Sequence, residues 1–300
     1  MLLCLICLLV GGVLTPLPPR ATALTDAEIG LFYANASHAV TQGTENGATM
    51  YPELSVSTDD EEVIRIRANH VPPHETASSY TQPITTYIGN TVSTYTIPRN
   101  PAIATQTTCL PTGVLGVAVN GVSIFSAYSR PCTDAVEDEA IGFDQCQGHP
   151  QEQGQYHYHY KADCLKDKEG NEVCKEKKQL LFGVLLDGFP VYNKYTQNGT
   201  EITNDQLDEC HGYDAGDGLG YRYIVNDEFP YIVGCFKGTP LGQISCHCDS
   251  DTMSPLIIGL IVVGSLMAAA LVGWLIYKWV WLPRQVENTK AVELKEEPEV

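Results

Sequence analysis

Residues Tyr156-His157-Tyr158-His159-Tyr160 alternate without interruption. In extended backbone successive side chains point to opposite faces, so the two histidines share one face and the three tyrosines the other. Residues two apart on a strand lie roughly 6–7 Å apart at Cα. Two imidazoles at that spacing can close on one metal ion if a further ligand arrives from elsewhere. His149 follows a glycine turn and is the nearest candidate. His211 lies in a similar turn further along, and His74, after Pro72-Pro73, is more distant. Imidazole with oxygen donors suits Zn²⁺ or Cu²⁺ better than Ca²⁺, with Asp144, Asp208 or the tyrosine hydroxyls orienting the ligands from behind. A His-x-His pair is also compatible with imidazoles bonded to carboxylates or backbone while the tyrosines pack a sheet. The motif alone leaves both readings open.

The elements that would hold these residues read as β-structure. Val63 to Ala68 alternates as a half-buried strand. Ile84 to Ile97 is rich in Thr, Tyr, Val and Ile, with Gly89-Asn90 as a hairpin turn, and Leu115 to Phe125 reads as two strands joined at Asn120-Gly121. Leu180 to Leu186 is another apolar strand, ended by Asp187-Gly188. A brief helix is expected near Asp26–Tyr33, and Asp134 to Glu139 reads as a solvated acidic loop. No EF-hand loop is present.

Two segments echo each other. Phe143-Asp144-Gln145-Cys146-Gln147-Gly148, a Tyr-rich strand and Cys164 correspond to Leu207-Asp208-Glu209-Cys210-His211-Gly212, a second Tyr-rich strand and Cys235. Such an echo implies duplication, and equivalent cysteines imply equivalent bridges, Cys146–Cys164 and Cys210–Cys235. Cys109 and Cys132 are expected in disulfides as well, while Cys174, Cys246 and Cys248 are least constrained. Cys246-His247-Cys248 could form a metal clip, although disulfides are favoured there.

The ends of the chain set the compartment. Leu2 to Leu14 is an apolar run followed by Arg20 and Ala21-Thr22-Ala23, a secretory leader over 1–23. Leu256 to Tyr277 holds 22 residues without a charge, enough to span a bilayer core. Trp274, Tyr277, Trp279 and Trp281 form an aromatic belt, Lys278 and Arg284 follow it, and Asp249 and Asp251 stand on the other flank. The expected plan is a leader (1–23), a polar segment (24–52), the ectodomain (53–240), a stalk (241–254), a membrane helix (255–282) and a cytoplasmic tail (283–300). Nine of the 11 cysteines lie between leader and membrane, so that region is extracellular or lumenal and permits disulfides. Asn35 and Asn198 begin N-glycosylation sequons. The net charge of −18 lies entirely in residues 24–254, between leader and membrane, which argues against a nucleic-acid binder. The fold class is therefore an all-β or β-dominated, disulfide-stapled ectodomain with an internal duplication, plus one transmembrane α-helix. It belongs at the plasma membrane or a secretory-pathway membrane, in type I orientation.

Several stretches resemble the YHYH domain family: Gln153 to His159, Leu207 to Gly212, Glu228 to Gly238, Gly116 to Val122 and Leu186 to Tyr192. The resemblance covers roughly Glu53 to Gly238. It implies a domain of secreted or surface proteins rather than a reaction, with a metal site suggested by the histidines. This chain departs from that pattern in the second copy. Gly212-Tyr213 and Tyr221-Arg222-Tyr223-Ile224 stand where relatives carry Gly-His and another Tyr-His-Tyr-His, so any site leans on the first copy. Two functions follow. One is a membrane-anchored ectodomain holding Zn or Cu through His149, His157, His159 and His211. The other is a non-enzymatic adhesion, receptor or matrix-contact glycoprotein without a metal. No H-E-x-x-H or G-x-S-x-G motif is present, which leans against an enzyme.

Overall fold

In the alternation from Val63 to Ala68, Ile64, Ile66 and Ala68 are buried while Arg65 and Arg67 face solvent. This strand, β2 (Val63–Ala68), is the middle of a three-stranded antiparallel sheet between β1 (Leu54–Ser57) and β3 (Ser93–Pro98). The computed structural model describes residues 24–80, 87–129, 132–246, 248 and 267–281. A short helix, α1 (Asp26–Ile29), opens it, closed by a capping box between Thr25 and Glu28.

The second sheet has eight strands: β4 (Val114–Ala118), β5 (Ser123–Phe125), β6 (Gly148–Pro150), β7 (Tyr156–Tyr158), β8 (Leu181–Leu185), β9 (Pro190–Asn193), β10 (Gly212–Tyr213) and β11 (Arg222–Val225). Their order is β10-β11-β9-β8-β4-β5-β7-β6. The centre is the antiparallel pair β4 and β8, in which Val117 lies opposite Val184. Outward from β4 the pairing is antiparallel to β5, parallel to β7, then antiparallel to β6. Outward from β8 the same sequence of senses runs through β9, β11 and β10. Nearly every residue of β4 to β9 is buried, and the two central strands, β4 and β8, read as continuous apolar runs.

The connection before β6 departs from expectation. Asp134 accepts from the backbone N–H groups of Val136 and Glu137 and caps α2 (Ala135–Glu139), so this acidic stretch is a helix rather than a solvated loop. The hairpin expected at Gly89-Asn90 is absent among the described residues. Gly89 donates instead to the carbonyl of Gly154, and Ile88 bridges to Thr44. Cys146 is bonded to Cys164 and Cys210 to Cys235. Cys109 and Cys132 are bonded to Cys246 and Cys248, and Cys174 is a free thiol. Asn35 and Asn198 are both exposed.

Residues 249–300 form a separate unit, in which 267–276 are α-helical. Among the described residues no helix is long and apolar enough to cross a membrane. The expected leader (1–23) and the first part of the expected membrane helix lie outside the described residues.

Candidate metal centre

Antiparallel pairing of β6 with β7 sets His149 directly opposite His157. His159 follows the last residue of β7 by one and returns to the same face. Glu139, at the end of α2, reaches the same point. One donor atom from each of Glu139, His149, His157 and His159 lies within 4.8 Å of all the others. The imidazoles are 4%, 2% and 5% exposed, so bulk water does not solvate them. Phe125 stacks on His157 at 3.9 Å between ring centroids, and Phe143 meets His149 edge-on at 4.8 Å.

The hydrogen bonds fix the tautomers. His157 Nδ1 lies 3.1 Å from the Gln155 carbonyl, and His159 Nδ1 lies 2.5 Å from the Ser126 carbonyl. A carbonyl oxygen only accepts, so each Nδ1 carries the hydrogen. In neutral rings this leaves a bare lone pair on each Nε2, and those atoms are 2.9 Å apart. Two facing lone pairs repel unless a cation, either a proton or a metal ion, lies between them. Burial pushes His157 well below the ordinary histidine range, and neighbouring His149 and His159 push it the same way. Burial also lowers His149, against the pull of Glu139. His157 and His149 therefore resist the proton.

His149 Nε2 is buried without a hydrogen bond, although Glu139 Oε2 is 3.2 Å away. The same oxygen lies 3.4 Å from His159 Nε2. Burial works to raise the Glu139 carboxyl, which is drawn below the ordinary carboxylate range only when positive charge sits on His149 and His159. Three imidazole nitrogens and a carboxylate fit Zn²⁺ or Cu²⁺. A cleft of about 540 Å³, walled by Phe125, Tyr128, Gln151 and Glu152, opens onto the four side chains.

The tyrosines occupy the opposite face. Tyr156 and Tyr80 both donate to Asp144 Oδ2, at 2.8 and 2.9 Å. The Tyr158 hydroxyl accepts from Asn120 and bonds His74 Nε2 at 2.9 Å. His74 is thus separated from the other imidazoles. It lies beside Cys146 and Cys164, whose sulfurs are joined and supply no thiolate. Asp144 backs tyrosines rather than ligands, and Asp208 likewise accepts from Tyr221. The Gln155 and Ser126 carbonyls orient the imidazoles instead.

His211 does not join the cluster, contrary to the sequence reading. Its backbone is left-handed at φ 69°, its Nε2 bonds Asn204 Oδ1 at 2.9 Å, and burial holds it at about 4. Sequence reasoning missed Glu139. An Asp before a run of helix formers marks an N-cap, which could have revealed α2, although not where its last side chain points.

The YHYH protein family matches residues 94–204, and the chain carries a domain of that family. The matched segment contains Glu139, His149, His157 and His159, and ends before β10 and β11. No curated protein and no solved structure matches the chain.

Proposed function

We propose that the YHYH domain of this chain holds one transition-metal ion, Zn²⁺ or Cu²⁺, through His149, His157, His159 and Glu139. The observation that carries this reading is the 2.9 Å approach of two Nε2 atoms whose rings already donate through Nδ1. A bound ion with an open side would polarise a group entering the cleft. The chain's own part is to hold the imidazole lone pairs convergent, to bring the Glu139 carboxylate to the same point and to pack Phe125 and Phe143 against the rings.

The test is metal content of the untagged full chain after loading with Zn²⁺ or Cu²⁺ and dialysis. One ion per chain is expected, lost in His157→Ala/His159→Ala while the disulfides and the fold remain. Metal-free wild type of unchanged stability would contradict the reading and leave an adhesion or matrix-contact glycoprotein.

The setting belongs to the same proposal: a leader over 1–23, a type I span over 255–282, and glycans at Asn35 and Asn198. It is supported by the uncharged run from Leu256 to Tyr277 and by four disulfides, which require an oxidising compartment. Glycosidase treatment of the membrane-fraction protein should lower its apparent mass in two steps. Absence of any shift would count against this topology. The two half-sheets are read as a duplication. The support is the like order of pairing, the match of Gly116-Val117 to Gly183-Val184 and of Asn120-Gly121 to Asp187-Gly188, and corresponding bridges Tyr128–Asp134 and Tyr195–Glu201.

A further inference from the structure

The strand pairing gives each residue of the metal centre a positional counterpart in the other half-sheet. β6 and β7 form the outer antiparallel pair beyond β5, as β10 and β11 do beyond β9. The turns entering both pairs are alike. Asp144 Oδ1 accepts from Cys146 and Gly148, and Asp208 Oδ1 accepts from Cys210 and Gly212. A Cβ on Gly148 would collide with the Tyr156 hydroxyl, and one on Gly212 with the Tyr221 hydroxyl. The register then matches His149 with Tyr213, His157 with Arg222 and His159 with Ile224.

Arg222 is wholly buried. Its Nη2 lies 2.6 Å from Asp217 Oδ2 and its Nη1 3.2 Å from Asp217 Oδ1, a two-point ion pair. Nη1 also donates to the Gly220 carbonyl at 3.0 Å, the guanidinium sits 5.0 Å from the Tyr213 ring centre, and Nε has no partner. A buried charge is costly without partners. Here a fixed cation faces one carboxylate and a cross-strand ring. In the first half, three imidazoles and Glu139 surround the corresponding point.

We propose that Arg222 is a resident cation occupying the place of a metal ion, so that the second half-sheet is a closed counterpart of the first and each chain takes up a single ion. This rests on the metal reading of the first half. Removing the guanidinium and placing imidazoles at positions 213, 222 and 224 should open a second metal site, with Asp217 as its carboxylate.

The test loads the full chain with Co²⁺, dialyses it and counts ions per chain in wild type and in Tyr213→His/Arg222→His/Ile224→His. One ion is expected in wild type and two in the variant. Arg222→His alone, which leaves Asp217 beside one imidazole, serves as the second variant, with added Co²⁺ expected to raise its melting temperature more than that of wild type. A triple variant that folds only with Co²⁺ also supports the inference. It is overturned if the folded variants bind no more Co²⁺ than wild type and gain no extra stability from it, or if neither variant folds even with Co²⁺. Wild type without bound Co²⁺ would instead sink the metal reading of the first half.

Discussion

At the scale of single residues, the centre depends on imidazole lone pairs that converge on one point. Glu139 supplies the only carboxylate within the cluster, so Glu139→Gln keeps the shape and removes the charge. Metal affinity should fall by at least about tenfold, the lower bound for a supporting partner, as measured by competition with a chelator. Unchanged affinity would remove Glu139 from the site. The metal-free protein should also respond to acid. Burial holds His70 and His211 at about 4, below the ordinary value, so the folded form takes up protons less readily than the unfolded form. Stability from these groups is complete above about pH 6.5 and falls as pH drops toward about 4. His74, His149 and His157, lowered by burial, act in the same sense. Asp187 opposes them, because burial raises it to about 6 and it favours the fold as pH falls. Five groups against one give a net loss. Urea midpoints of the chelated protein should decline from pH 6.5 to 4.5, and a flat or rising profile would contradict this balance.

At the scale of elements, two glycines let the central strands meet. A Cβ on Gly116 would lie 2.8 Å from the Leu185 Cα, and one on Gly183 2.8 Å from the Ala118 Cα, both closer than packed atoms allow. Gly183→Ala should therefore cost about 1–3 kcal/mol, the range for overpacking a filled core, read as a lower urea midpoint. An unchanged midpoint would show that β4 and β8 can part without penalty. The strands were legible where pattern is local. The period of two in Val63 to Ala68 and in Tyr156 to His159 correctly separated buried from exposed positions and imidazoles from tyrosines. The Gly89-Asn90 turn misled because its backbone partners, Gly154 and Thr44, are remote in sequence. Glu139 was hidden for a related reason. Composition marked its segment as solvated, and only the approach of the end of α2 to His149 and His159 turns that carboxylate inward. His211 shares a turn type with the first copy, yet turn type does not carry a ring across the sheet.

At the scale of the whole molecule, the domain is closed by bonds of long reach. The Cys109–Cys246 and Cys132–Cys248 bridges join residues 137 and 116 apart, so the end of the domain is tied back to the loops before β4 and α2. The Cys210–Cys235 bridge closes a span of 25 residues. Replacing Cys210 or Cys235 by Ser should cost about 2–5 kcal/mol, seen as reduced secretion and a lower melting temperature, and normal values for both would contradict a structural role. Across this scaffold the central claim is that a metal ion, not a proton, separates the Nε2 atoms of His157 and His159. The most direct measurement is X-ray absorption on the full chain loaded with Zn²⁺ or Cu²⁺ and dialysed. The expected spectrum has nitrogen and oxygen neighbours at about 2.0–2.2 Å with outer-shell scattering from three imidazole rings. A spectrum without imidazole scattering, or a protein that retains no ion while one of these rings is protonated on both nitrogens, would contradict it.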